Sequence, residues 1–150
     1  MEFGTGGEPI YLTGVSLWGI DFLMYEVTIK RHFSAAHMLR EIGGKCEMLH
    51  GHNFVVEVSA SAPELGEDGL LIDFRKLKRW TEEAIGVLDH KCLNELEIFR
   101  KRNPSSEQIA AYVYRFIAEK AKSGPVRISR VTVWESEDAR ASYTEKTGNG

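Results

Sequence analysis

The chain has 150 residues, 43% of them hydrophobic, and a formal net charge of −3, which suits one domain built on a single core. The weak negative charge, with no basic stripe, argues against nucleic acid as a direct partner. Cys46 and Cys92 supply neither a disulfide framework nor a thiolate metal cluster, so a reducing compartment is expected.

The opening Met1-Glu-Phe-Gly-Thr-Gly-Gly is glycine-rich, and residues 1–23 read as a disordered or appended extension without a function of their own. No lysine or arginine precedes Lys30, so the basic region of a secretory signal is missing. The apolar stretch Val15 to Tyr25 is short and broken by Asp21, which excludes a membrane span there. The expected location is cytoplasmic, and the expected domain is 24–146 with a tail at 147–150.

From Tyr25 the pattern has period two. Tyr25, Val27, Ile29, Phe33, Ala35 and His37 share one face of a strand, and after His52 the residues Phe54, Val56 and Val58 continue a second one. Pairing these strands through the connection from Met38 to Leu49 sets His37 beside His50 and His52. His32 points to the opposite face and reads as a surface histidine.

After Gly69 the period changes to 3.6. Asp73 stands as the N-cap of a helix whose apolar face runs through Leu77, Trp80, Ala84, Ile85 and Leu88. Pro104 and the capping-box pattern Ser105 to Gln108 open a second helix with Ile109, Tyr112, Val113, Phe116 and Ile117 on one stripe, stopped by Ser123-Gly124-Pro125. Strand alternation returns from Val126 to Glu135 and again from Ala139 to Thr144. The order ββααββ predicts an α+β domain, a four-stranded antiparallel sheet with two helices on one face.

The segment Cys46-Glu47-Met48-Leu49-His50-Gly51-His52 carries the chemistry. Side chains two apart on a strand share a face, so His50 and His52 point the same way, with His37 as a third ligand. Three imidazoles with a fourth position open suit a catalytic zinc, whereas structural zinc sites close all four. Cys46 sits in a connection containing Gly43 and Gly44, able to bring its sulfur over a metal-bound substrate. A thiol becomes a useful base only where a cation or hydrogen-bond donor favours the thiolate. Cys92 reads as a small buried hydrophobe. Asp89-His90 follows the first helix, either as an acid–base pair or as a polar helix terminus.

Taken together, Phe33-Ser-Ala-Ala-His37, Cys46-x-x-x-His50-Gly-His52, Leu71-Ile-Asp73-Phe74, Leu88-Asp89-His90, Asn103-Pro-Ser-Ser-Glu107 and Trp134-Glu135 resemble, in order, the 6-pyruvoyltetrahydropterin synthase / 6-carboxytetrahydropterin synthase family. The resemblance implies the tunnelling fold, in which subunits join edge to edge into a β-barrel, here a homohexamer (a dimer of trimers) with active sites between subunits. It implies Zn2+ on His37, His50 and His52, with Cys46, Asp89 and His90 as a proton relay in which the cysteine crosses a subunit boundary. Glu135 is implied as the anchor of a pterin ring through paired hydrogen bonds. Glu107 is a second substrate-binding position, although the helix dipole alone favours an acid there. Ser105 and Gln108 depart from the threonine and asparagine usual in the family.

The implied reaction takes 7,8-dihydroneopterin triphosphate to 6-carboxy-5,6,7,8-tetrahydropterin, acetaldehyde and triphosphate, for queuosine and other deazapurines. The alternatives are 6-pyruvoyltetrahydropterin for biopterin, or a non-catalytic pterin-binding module. A third branch, which yields 6-hydroxymethyl-dihydropterin, uses a glutamate in place of the cysteine; Glu47 follows Cys46 directly.

Overall fold

Two long strands with apolar residues on alternate positions form the centre of the sheet. The computed structural model describes residues 24–145; the readings made for 1–23 and 147–150 lie outside the described residues. Strand β1 is Tyr25–His37, β2 His50–Ala62, β3 Lys91–Cys92, β4 Arg127–Trp134 and β5 Arg140–Tyr143. Helix α1 is Phe74–Gly86 and α2 is Ser106–Ala121.

The sheet order is β3-β1-β2-β4-β5. β1 and β2 pair antiparallel along their whole length, placing His37 opposite His50 and Ala35 opposite His52. The expected four-stranded antiparallel sheet is corrected to a five-stranded mixed one, because β3 pairs parallel with β1 at Ala35 and Ala36. Two residues are too few to show a period, and their pairing is set by the turn after α1 rather than by their own side chains.

One face of the sheet is covered by the helices. Phe54, Val56 and Val58 of β2 and Val131 and Val133 of β4 are fully buried against Leu77, Ile109, Val113 and Ile117. The opposite face carries polar pairs such as Lys30–Glu57 and Thr28–Ser59. Asp73 caps α1 by accepting from the Arg75 backbone N–H at 2.8 Å, as expected. Ser105 caps α2 by accepting from the Gln108 N–H. The reciprocal half of that capping box is missing: the Gln108 side chain instead accepts from Arg102. Among the described residues no helix is long and apolar enough to cross a membrane.

Candidate metal centre

The antiparallel register brings three imidazoles to one end of the core face. The His37 and His50 ring centroids are 4.7 Å apart, and those of His50 and His52 4.8 Å apart. Phe54 forms their floor, 5.6 Å from His37 and 5.5 Å from His52, and stacks on Phe33. His37 is completely buried.

The other nitrogens of two rings are already committed. His37 Nδ1 lies 2.7 Å from the carbonyl of buried Pro104, and His50 Nδ1 lies 2.7 Å from the carbonyl of Met48. A carbonyl only accepts, so each Nδ1 carries the proton and each Nε2 presents a lone pair. His37 Nε2 is buried with no hydrogen-bond partner, and so is His52 Nε2.

Glu135 closes the group. One ligand atom from each of His37, His50, His52 and Glu135 lies within 4.8 Å of the others. His52 Nε2 is 3.1 Å from Glu135 Oε1 without making a hydrogen bond to it. Burial pushes the His52 imidazole below its ordinary pKa, ahead of the opposing pull of the Glu135 carboxylate. Neutral nitrogens and a carboxylate facing one another, with buried atoms left unpartnered, form a donor set that fits a divalent cation.

Glu135 is oriented by Ser106, whose hydroxyl donates to Oε2 at 2.9 Å from the first turn of α2. Sequence reading missed Ser106 because its position in a cap explains it without further function. Glu107, the next residue, is exposed and directed away from the core.

The turn that carries Asp89 and His90 docks on β1. Asp89 Oδ1 accepts from the Ser34 N–H at 2.9 Å, and the His90 N–H donates to the Ser34 carbonyl at 2.6 Å. His90 Nδ1 lies 2.9 Å from Asp89 Oδ1, so the two are paired as well as adjacent. These contacts hold His90 at φ 56°, a left-handed conformation uncommon for a residue with a Cβ. Its ring and His52 line an open depression of about 530 Å3 together with Ser34, Gly51 and Cys92. Cys92 is half-buried there rather than fully enclosed.

Cys46 is exposed, in a 3-10 turn spanning Gly44–Glu47, and does not line that depression. Within one chain the structure therefore joins the three histidines and Glu135, joins Asp89 to His90, and leaves Cys46 apart. Glu47 is occupied by its own turn, where its carboxylate accepts from the Gly43 N–H at 2.8 Å.

A protein of Archaeoglobus fulgidus provisionally named 6-carboxy-5,6,7,8-tetrahydropterin synthase is 41% identical over 115 residues, covering 75% of this chain and 89% of that protein. The dihydroneopterin monophosphate aldolase of Pyrococcus furiosus is 32% identical over 112 residues, covering 75% of this chain and 90% of that one. The Caenorhabditis elegans 6-pyruvoyl tetrahydropterin synthase structure superposes with a TM-score of 0.73 at 26% identity, over 85% of this chain and 99% of that one. The family model for 6-pyruvoyl tetrahydropterin synthase matches residues 26–146, a span that holds the whole histidine group, and the chain belongs to that family.

Proposed function

We propose that the chain is a zinc-dependent lyase that converts 7,8-dihydroneopterin triphosphate, with water, to 6-carboxy-5,6,7,8-tetrahydropterin, acetaldehyde and triphosphate, in queuosine and other deazapurine synthesis. The observation that carries this reading is the convergence of His37, His50, His52 and Glu135 within 4.8 Å. The carboxy product is favoured by the name borne by the 41%-identical relative.

His37, His50 and His52 would hold the metal through their Nε2 atoms. A bound zinc supplies a Lewis acid that makes the carbon-bound protons of a hydroxylated side chain more acidic. Cys46 then takes a proton from the substrate, and the Asp89–His90 pair delivers one elsewhere, with Asp89 orienting the imidazole at 2.9 Å. The Glu135 carboxylate, beside the histidines, anchors the pterin ring through paired hydrogen bonds. Glu107, exposed at the start of α2, is a second substrate-binding position.

The site is completed by a second copy of the chain. The exposed Cys46 turn and the short edge strands β3 and β5 support a homohexameric barrel, in which Cys46 of one subunit meets Asp89 and His90 of the next. Two free cysteines support a cytoplasmic setting.

Product analysis by mass spectrometry, after incubating zinc-loaded protein with 7,8-dihydroneopterin triphosphate, tests the reading. The expected products are 6-carboxytetrahydropterin and acetaldehyde. A 6-pyruvoyl product would move the chain to the biopterin branch. Unchanged substrate would leave a pterin-binding module. Cys46→Ala should keep zinc and lose turnover, and His50→Ala should lose both.

A further inference from the structure

From Arg40 to Leu49 the connection that carries Cys46 buries no hydrophobic side chain. Residues 40–49 are exposed, the 3-10 turn at Gly44–Glu47 buries nothing, and Glu41, Gly43 and Gly44 all have positive φ. Exposed chain of this kind samples many conformations unless hydrogen bonds restrain it.

Two asparagines supply those bonds. The Met38 N–H donates to Asn94 Oδ1 at 2.9 Å, and Asn94 Nδ2 donates back to the Met38 carbonyl at 2.9 Å. Two residues further on, the Arg40 N–H donates to Asn103 Oδ1 at 2.8 Å, and Asn103 Nδ2 donates to the Arg40 carbonyl at 3.0 Å. Each side-chain amide therefore pairs with a backbone unit as a neighbouring strand would. Met38 and Arg40 face the asparagines, and Leu39 between them faces the other way, where its N–H donates to the Cys46 carbonyl at 2.8 Å.

The anchors behind these amides are themselves parts of the site. Asn94 lies in the 3-10 turn just after β3, beside fully buried Leu93 and four residues from His90. Asn103 precedes Pro104, whose carbonyl accepts from His37. One clamp thus ties the Cys46 connection to the segment of Asp89 and His90, and the other ties it to the histidine group.

We propose that Asn94 and Asn103 are positioning residues for Cys46, setting where its thiol is presented by gripping the backbone of Met38 and Arg40, between which Leu39 donates to the Cys46 carbonyl. This rests on the reading of Cys46 as the reactive thiol.

The test uses zinc-loaded full-length protein carrying Cys92→Ala in every sample, so that Cys46 is the single thiol. Asn94→Ala and Asn103→Ala are compared with that parent in iodoacetamide alkylation rate across pH, kcat and KM for 7,8-dihydroneopterin triphosphate, zinc content and Tm. The expected result is a changed alkylation rate at Cys46, with kcat lowered roughly 10- to 100-fold, the scale on which misplacement of a reacting group acts. KM and zinc content stay near the parent's. Asn103→Asp, which keeps the acceptor for the Arg40 N–H, should fall between. Unchanged alkylation and kcat in both alanine variants would overturn the proposal, as would a joint fall of Tm, zinc content and kcat. If the alkylation profile shifts while the parent itself forms no product, the positioning role stands and the proposed reaction fails.

Discussion

His37 Nδ1 lies 2.7 Å from the carbonyl oxygen of Pro104, 67 positions along the chain, and this contact turns the buried Nε2 lone pair toward His50, His52 and Glu135. Replacing His37 with alanine removes a ligand and leaves that carbonyl without its donor. The expected result is loss of bound zinc, read by metal analysis, with a fall in stability of about 1–3 kcal/mol for the unsatisfied group.

Metal binding to the native fold alone raises its stability by mass action. With free zinc about a hundredfold above Kd, the gain is about 2.7 kcal/mol. A chelator should lower Tm and added zinc should restore it, whereas His50→Ala protein should show no response to either.

Ser106 donates to Glu135 at 2.9 Å, a hydrogen bond to a charged group. Ser106→Ala should cost about 1.5–3 kcal/mol of stability. Ser106→Thr keeps the hydroxyl and should recover most of it. Chemical denaturation of the three proteins measures the difference.

The Ser34 N–H, with His90 beside it, holds the Asp89 carboxyl below the usual carboxylate range. A depressed folded pKa gives stabilisation that is present above the unfolded value of about 3.9 and is lost as pH falls through the folded value. The Tm gap between wild type and Asp89→Asn should be steady over about pH 5–7 and close below about pH 4. A gap that widens on acidification would contradict this sign.

Phe54 is fully buried, with Phe33 stacked on it at 4.9 Å and two of the site's imidazoles against its edges. Phe54→Ala should cost about 3–5 kcal/mol. Because the same ring supports His37 and His52, zinc affinity should fall with it. A stability loss with zinc affinity intact would show that Phe54 does not position His37 and His52 for the metal.

The histidine group was legible in sequence because its determinants are local. Alternation with period two put His50 and His52 on one face, and pairing the apolar faces of both strands set His37 beside them, opposite His50 in the structure. The helices were legible for the same reason, through caps at Asp73 and Ser105 and through periodic apolar faces. Strand β3 was not, since two residues carry no period. Nor were the Ser106–Glu135 bond, the Pro104 carbonyl behind His37, or the clamps of Asn94 and Asn103. Those contacts join residues 29, 67, 56 and 63 positions apart. A single hydrogen bond between distant polar groups leaves no repeat in the chain, and only the packing of α2 and the β3 segment against the ends of β1 and β2 brings its partners within reach.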